Sequence, residues 1–488
     1  MQLRELIAEL NVLEIHGSTA VEVAGIAYDA RRVAPGDVYI ALQRGQVDGH
    51  AEIELAVERG AVAVVCRRTG SLRARATRVE VTDTRLALAE ISRVFYGAAG
   101  ERLHVVGVSG GRDAWKTAHL TKQILQAAGL KTGLISSLRH EIGSRQFPAT
   151  DFTESSDIQR LFAGMVRAGC TACVLELPAV SPAYLRGIPL NVLLYQGGDQ
   201  NLRALSLFLN SQQTAPVCGI VNIDDESGRT VGLSNLFKMQ LTYGFGGESE
   251  VSACELECGA TSSRFVLNLA GNTAACEVPL VGRQNVRHLL GAAAASLSSL
   301  TPRQVLHAIS AVRTAPSALE PVVNDRAISL YVDEASSAES LRAVLTDLRA
   351  LRPERVLLAC GAEAGTPGKD RFDLGKVAAQ FADHVILTSD NPGTETVERI
   401  CETIAQGIDS VGRARYHVQI DRAQAIRELI AMAEPGDVVL IAGKGERSRQ
   451  MIGNTVVPFS DREVATEFLE NFVKPEPRQT AAVTLCAA

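Results

Sequence analysis

Residues 104–137 read HVVGVSGGRDAWKTAHLTKQILQAAGLKTGLISS, and this stretch decides the fold. It starts as a short apolar strand, passes through a glycine turn into a helical segment at 118–128, and ends in a second apolar strand. A strand, a crossover helix and a second strand predict parallel strands within one sheet. We therefore expect a parallel sheet covered by helices on both faces.

The same alternation extends in both directions from this stretch. Apolar strands are predicted at 37–42, 61–66, 172–177 and 217–222, and again at 329–332, 355–360, 384–388, 415–419 and 437–441. Helices are predicted at 51–59, 86–96, 158–168 and 286–300, and a turn-rich section at 244–272 predicts antiparallel strands. The pattern predicts an α/β chain of three domains, at 1–100, 101–313 and 314–473, the last doubly wound, with a loose tail at 474–488.

Composition excludes several classes of function. The 488 residues are 46% hydrophobic and carry a formal net charge of -6, which disfavours a nucleic-acid or membrane-surface partner. No stretch reaches the roughly 18 apolar residues of a membrane span, and the amphipathic start lacks the pattern of a signal peptide, so a cytoplasmic location is expected. Of the ten cysteines, Cys170 and Cys173 lack a second ligand pair at zinc-ribbon spacing, so buried reduced thiols are expected.

Three blocks of sequence, taken in order, resemble the Mur ligase family, and specifically its MurE-like members. They are D-A-R, P-G-D and D-G-H at 29–31, 35–37 and 48–50, the stretch at 104–137, and S-D-N-P at 389–392 with the segments 435–445 and 458–464. The resemblance implies a three-domain fold and ATP-dependent addition of an amino acid to a UDP-linked muramyl peptide. Because a fold can host or lose an activity, the function must be argued from the sites.

The phosphate loop of this family reads G-T-N-G-K-T-T and aligns without gaps on residues 110–116. Such a loop works because backbone amides and a lysine hold the phosphates while the next hydroxyl binds Mg²⁺. In this alignment the lysine position is Ala114, the hydroxyl position is Trp115, and Asp113 replaces a glycine. The alignment predicts severely impaired ATP binding and places Lys116 in the helix beyond the loop. Lys116 and Arg112 are then expected to be solvated surface charges.

A second alignment keeps a nucleotide-binding loop. If the loop were two residues longer and the helix began later, Lys116 and Thr117 would supply the lysine and hydroxyl after Gly110 and Gly111. That arrangement needs a helical phase change of roughly 200° and places Trp115 at the last glycine position.

The resemblance also identifies the other catalytic positions. Glu176 keeps the carboxylate of the family's E-V-S-S-H segment and is the candidate metal ligand, but Val180 stands at the histidine position. Ala204 stands where the family carries the lysine that becomes carbamylated. Glu176 and Lys116 are thus the remaining candidate catalytic residues.

Substrate positions are partly retained. On the UDP-muramyl side the candidates are Gln46 and Asp48. On the amino-acid side the family pattern retains Arg371, Asp390, Asn391, Pro392 and Gly443. Gly393 replaces an arginine and Arg447 a glutamate, for which Glu446 is a substitute one residue earlier. A simple turn after a strand is the alternative for the Asp-Asn-Pro segment.

Two hypotheses remain. In the first, the chain is a MurE-like protein of peptidoglycan precursor metabolism that has lost ligation, needs no cofactor, and binds a UDP-muramyl peptide or a protein partner. In the second, it is an active UDP-N-acetylmuramoyl-tripeptide synthetase with an unusual ATP site, and ATP and Mg²⁺ are its cofactors.

Overall fold

The computed structural model describes residues 1–45, 47–67, 76–111, 113–149, 154–177, 187–198, 218–232, 237–313 and 318–471. The chain divides into two compact units. The first contains Met1–Glu257, Ser263–Pro279 and Asn285–Arg313, and the second contains Cys258–Ser262, Leu280–Gln284 and the described residues after Arg313. No helix within the described ranges combines the length and the apolar character that crossing a bilayer requires.

The first unit begins with a five-stranded sheet in the order β1-β7-β6-β3-β2. The strands of this sheet are β1 Val12–His16, β2 Gly25–Ala27, β3 Asp37–Ile40, β6 Ala63–Cys66 and β7 Thr77–Val81. The same part of the chain contains a separate strand pair, β4 Gln43–Arg44 and β5 Val47–Asp48, and the helices α1 Leu3–Leu6, α2 Ile53–Glu58 and α3 Thr84–Phe95. Val38 and Ile40 pack in one apolar cluster, while Tyr39 packs in another. Successive residues of a strand point to opposite faces, so both faces of this sheet are covered.

An eleven-stranded sheet forms the rest of this unit, in the order β11-β10-β9-β12-β8-β13-β14-β15-β16-β17-β18. Its strands are β8 His104–Ser109, β9 Thr132–Ile135, β10 Arg139–Ile142, β11 Arg145–Pro148, β12 Ala172–Glu176, β13 Val192–Tyr195, β14 Cys218–Asn222, β15 Met239–Gly244, β16 Val251–Cys258, β17 Ser263–Leu269 and β18 Asn272–Val278. The helices associated with it are α4 Ala114–Ala127, α5 Ser155–Arg167, α6 Glu226–Gly232, α7 Arg283–Ser296 and α8 Pro302–Ile309. The strands β9, β12, β8, β13 and β14 pair in parallel, as the crossover pattern predicts.

The second unit is built on a six-stranded sheet in the order β19-β20-β24-β21-β22-β23. Its elements are β19 Glu320–Pro321, β20 Ser329–Asp333, α9 Ala338–Ala350, β21 Val356–Cys360, α10 Gly368–Phe381, β22 His384–Leu387, α11 Val397–Asp409, β23 Arg415–Val418, α12 Arg422–Ala431, β24 Val438–Ala442, the hairpin β25 Arg449–Ile452 and β26 Thr455–Pro458, and α13 Asp461–Glu470. Neighbouring strand residues alternate between two apolar clusters: Leu358 and Leu440 lie in one, and Leu357 and Val439 in the other. This is the doubly wound arrangement that the sequence predicts.

Some elements differ from the sequence prediction. The helix expected at 118–128 begins four residues earlier, at Ala114. Residues 114–117 are buried and belong to the helix, although their mixture of polar and aromatic side chains shows no apolar period. The apolar run Val192–Tyr195 forms a central strand that the sequence pattern does not predict, and a hairpin at 139–148 extends the sheet. The paired cysteines Cys170 and Cys173 are buried free thiols, as expected, whereas Cys254 is exposed.

Candidate functional site

The glycine turn predicted after the first strand of the central sheet lies at the carboxyl end of β8, between β12 and β13. Ligand sites of open parallel sheets form at this edge. Gly110 and Gly111 have φ angles of +147° and +78°. A Cβ at position 110 would lie 2.3 Å from Cβ of Gln196, so only glycine fits there.

Helix α4 follows this turn directly. Asp113 is its N-cap residue and Ala114 its first helical residue. That start agrees with the gapless alignment, whereas the alternative alignment requires a later one. Arg112 lies outside the described residues.

The first turn of α4 is buried. Ala114 is 0% exposed and the indole-bearing Trp115 is 3% exposed. Lys116 is 6% exposed, so the expectation that it is a solvated surface charge is wrong. Its Nζ lies 2.9 Å from the Asp113 carboxylate and 5.7 Å from the centroid of the Trp115 ring.

The ion pair sets the charge at the start of α4. Partial burial favours the neutral form of Asp113, but the ammonium of Lys116 and neighbouring positive groups hold the pKa of Asp113 below its ordinary value. Asp113 is therefore a carboxylate at neutral pH. It lies where the helix dipole stabilises a negative charge.

Thr117, the hydroxyl residue of the alternative alignment, is fully buried. Its Oγ1 lies 2.9 Å from Nδ1 of His288 in α7 and accepts a hydrogen bond from Nε2 of Gln196. Burial lowers the pKa of His288 to about 3, with the charge of Asp113 opposing the shift. The hydroxyl of Thr117 is thus held by a neutral, internal hydrogen-bond cluster.

Glu176, the candidate metal ligand, is the last residue of β12 and pairs in register with Val108 of β8. Its carboxylate accepts hydrogen bonds from the backbone N–H of Ser137 at 2.6 Å and from Ser137 Oγ at 2.8 Å. Burial raises the pKa of Glu176, and the two Ser137 donors oppose that shift. The carboxylate is at the ligand-binding edge, but Val180 and Ala204 lie outside the described residues.

On the UDP-muramyl side, Gln46 also lies outside the described residues. Asp48 ends β5 as an exposed residue and caps the short 3-10 helix Gly49–Glu52. Its Oδ1 accepts a hydrogen bond from the backbone N–H of His50 at 3.0 Å and lies 2.9 Å from His50 Nδ1. These His50 contacts lower the pKa of Asp48, which remains accessible to a ligand.

In the second unit, Arg371 is already engaged by protein groups. Its two Nη atoms each lie 2.7 Å from a carboxylate oxygen of Glu395, and one also donates to the backbone oxygen of Glu363. The hydrogen bonds from Arg371 lower the pKa of Glu395 to about 2. Arg371 therefore forms an internal bidentate ion pair.

Asp390 follows β22 and is 0% exposed. Neither of its carboxylate oxygens has a hydrogen-bond partner among the residues that the structure describes. Burial raises the pKa of Asp390, and the charges of Arg422 and Lys444 oppose the shift. A Cβ at Gly443 would lie 2.9 Å from Asp390 Oδ2, so glycine at this position allows β24 to end beside the carboxylate.

Asn391 bridges two parts of the second unit. Its Nδ2 donates to Glu363 Oε1 at 3.2 Å, and its Oδ1 accepts from Lys444 Nζ at 3.4 Å. Arg447 also pairs with Glu363. Two further residues were predicted on the amino-acid side: Pro392 is buried and Glu446 is exposed.

Sequence reasoning missed His288, Gln196 and Lys444. His288 is 171 residues from Thr117 along the chain, and nothing in the local sequence of α7 indicates that pairing. Lys444 lies inside the G-K-G-E-R segment, but only its complete burial identifies it as part of the network around Asp390 and Asn391.

A group of potential metal ligands lies on the N-terminal sheet. Glu14, His16 and Glu80 bring ligand atoms within 4.8 Å of one another on β1 and β7. However, Arg78 Nε lies 3.2 Å from Glu80 Oε1, so Glu80 is already neutralised by a cation. This group therefore gives no support for a metal site.

Comparison with known proteins gives family matches in both units of the chain. The model "Mur ligase family, catalytic domain" matches residues 22–96, and "Mur ligase, glutamate ligase domain" matches residues 319–445. The chain is 31% identical to the UDP-N-acetylmuramoyl-L-alanyl-D-glutamate--2,6-diaminopimelate ligase of Syntrophomonas wolfei over 97% of this chain and 100% of the relative. It is 33% identical to the protein of the same name from Geobacillus kaustophilus, over 95% and 98%.

Solved structures show the same fold. A UDP-N-acetylmuramoyl-L-alanyl-D-glutamate--2,6-diaminopimelate ligase superposes with a TM-score of 0.68 at 22% identity, covering 96% of this chain and 99% of that one. MurF ligase from Thermotoga maritima in complex with ADP superposes with a TM-score of 0.61 at 14% identity, covering 92% and 96%. From its full-length relatives and its fold, the chain belongs to the Mur ligase family and resembles its MurE members.

Proposed function

We propose that this protein acts in peptidoglycan precursor metabolism by binding, and that it does not catalyse ATP-dependent ligation. The observation that carries the proposal is the ion pair between Asp113 and Lys116 at the start of α4. In a phosphate loop the helix N-terminus and a lysine attract the phosphate charge. Here the carboxylate of Asp113 lies at the helix N-terminus and is paired with Lys116, so it occupies both attractive positions. Its negative charge would repel a triphosphate.

The neighbouring side chains add a steric argument. Trp115 stands at the position of the magnesium-binding hydroxyl in the gapless alignment, and its indole is buried in the first turn of α4. Indole offers one N–H donor and no oxygen ligand. Mg²⁺ prefers oxygen ligands in octahedral geometry, so the described residues of this loop do not fit a magnesium nucleotide.

The alternative alignment gains no support from Thr117. Its hydroxyl is in contact with both Gln196 and His288, so binding Mg²⁺ would require breaking this buried cluster. An unsatisfied buried polar group costs roughly 1–3 kcal/mol. Lys116 would also have to leave Asp113.

The proposed ligand is a UDP-muramyl peptide or a protein partner. The relatives carry UDP-N-acetylmuramoyl-L-alanyl-D-glutamate in their names. Support within the chain comes from the exposed Asp48 beside the N-terminal sheet. We place this activity in the cytoplasm, where such precursors would be met.

A second candidate function is the ligation named for the relatives. One observation favours it: Glu176 retains its carboxylate at the ligand-binding edge of the central sheet. Under this candidate Lys116 would exchange Asp113 for a phosphate when ATP and Mg²⁺ bind.

Calorimetric titration with MgATP, combined with an assay of ADP release in the presence of UDP-muramyl dipeptide and diaminopimelate, tests the proposal. We expect no amino-acid-dependent ADP release, and we expect any MgATP binding to be unaffected by Lys116→Ala, while an active relative releases ADP. Turnover within tenfold of that relative would refute the proposal.

The triple variant Asp113→Gly, Ala114→Lys, Trp115→Thr provides a check on the loop itself. We expect it to bind MgATP more tightly than the natural protein, with little gain in turnover, because Val180 and Ala204 still stand at two catalytic positions. Unchanged affinity would show that the gapless alignment is wrong.

A further inference from the structure

A cavity of about 770 Å³ lies on the first unit, away from the glycine turn. It is lined by the end of α4, the end of α5 and the hairpin of β10 and β11. Lys131 precedes β9 and Arg167 ends α5, so the cavity is at the amino edge of the parallel sheet. The glycine turn and Glu176 are at the opposite, carboxyl edge.

The hairpin separates its charges by face. In the register of this hairpin Ile142 pairs with Arg145 and His140 pairs with Phe147, so these four residues share one face. Glu141 lies on the other face, where it pairs with Lys122 and Arg139. The alternation therefore removes the hairpin's one acidic residue from the cavity.

The lining is cationic. It contains Lys131, Arg145 and Arg167, and none of its described lining residues is acidic. Lys131 has a structural role, because its ammonium donates to the backbone oxygen of Ala168 after the end of α5. Arg145 and Arg167 differ from it: within the described ranges neither guanidinium forms a hydrogen bond or ion pair, and both residues are exposed.

An aromatic ring completes the lining. Phe147 is 40% exposed although it is a large apolar residue, and it shares the hairpin face of Arg145. Guanidinium groups bind phosphate oxygens through two parallel hydrogen bonds, and an exposed ring offers a face for stacking. Cavities of roughly 300–1,000 Å³ hold small ligands.

We propose that this cavity is a second ligand site for a mononucleotide, with the phosphate held by Arg145 and Arg167 and the base against Phe147. Adenine and uracil nucleotides share this chemistry. The site does not depend on the state of the loop at Gly110. The proposal of this site can therefore be tested independently of the proposal that ligation is lost.

The experiment is a calorimetric titration of the full chain with AMP, UMP, adenosine and inorganic phosphate. We expect one saturable site for at least one nucleotide, and binding at least about tenfold weaker for its nucleoside and for phosphate, because each lacks one half of the contacts. The AMP and UMP arms decide which base the cavity prefers.

Variants assign the binding to this cavity. Arg145→Gln and Arg167→Gln are each expected to weaken binding about tenfold or more. Phe147→Ala is expected to reduce the difference between nucleotide and phosphate. Arg303→Gln, which changes an exposed arginine of α8 outside the lining, is the matched control and should leave affinity unchanged.

Lys116→Ala separates the cavity from the loop and should also leave binding unchanged. The proposal is overturned if no nucleotide binds saturably, if phosphate binds as tightly as the nucleotides, or if the two cavity arginines can be replaced without effect. Loss of binding in Lys116→Ala alone would assign the nucleotide to the loop and overturn it too.

Discussion

Replacement of Trp115 by alanine tests whether the start of α4 is a packed, internal structure or an open ligand site. The side chain is 3% exposed, and its ring lies 5.7 Å from Lys116 Nζ. A buried tryptophan removes roughly 200 Å² from water, which at about 25 cal/mol per Å² is about 5 kcal/mol. The alanine methyl group still buries a small part of this area, so the free energy of unfolding is expected to fall by about 4 kcal/mol, within the range of ~3–5 kcal/mol for such changes.

The effect should appear as a fall of about 10 °C in the unfolding transition of the first unit, followed by circular dichroism. Trp115→Phe is the control, and we expect it to recover more than half of the lost stability. Trp115 is also the one tryptophan of the chain, so the fluorescence of the natural protein reports on this site directly. Its emission should resist acrylamide quenching and should not change when MgATP is added.

A stable Trp115→Ala that gains MgATP affinity would show that the indole acts as a removable cover. A stable variant without that gain, or ready quenching in the natural protein, would show that the indole is not packed as described. Either result contradicts the reasoning that the first turn of α4 is a structural element.

Two further expectations concern the residues beside Trp115. Lys116→Ala should leave nucleotide binding unchanged and reduce stability modestly, since Asp113 loses its ion-pair partner; lost MgATP binding in a calorimetric titration would instead support the ligase function. His288 titrates near 6.5 when unfolded but has a pKa of about 3 in the fold, so the unfolded state binds the proton between these values and stability falls as pH decreases. His288→Gln should therefore flatten the decline in thermal stability from pH 7 to pH 5, by about 2 kcal/mol, whereas His307→Gln, an exposed control, should follow the natural curve.

The fold could be predicted because its strands and helices each give a recognisable pattern of apolar residues in the sequence. The runs that became β21 and β24 are continuous apolar segments, and helices between them predict parallel pairing. Helix α4 was misplaced at its start, because the apolar period is clear only after residue 118. Val192–Tyr195 was missed because four apolar residues alone do not distinguish a strand from a buried loop or helix.

The candidate site was less predictable. The gapless match to the family motif predicts replacements at Asp113, Ala114 and Trp115. The sequence does not predict the pairing of Asp113 with Lys116, since either charge could have faced solvent. The contact of Thr117 with His288 joins α4 to α7, and such long-range contacts depend on tertiary packing that one sequence does not encode locally. Burial of Asp390 is likewise a property of the assembled sheet.

The packing of Trp115 also restricts the routes by which mutation could restore a phosphate loop. Trp115→Thr alone would open a void in the first turn of α4 and cost on the order of 3–5 kcal/mol before any phosphate contact was gained. Ala114→Lys alone would place a second cation beside Lys116, which is buried (6% exposed) and already paired with Asp113. Because the residues touch one another, their effects are not additive, and the gain comes only when several change together. Under the proposed function, a single substitution would therefore cost stability before it gained a phosphate contact, which disfavours stepwise reversion to a phosphate loop.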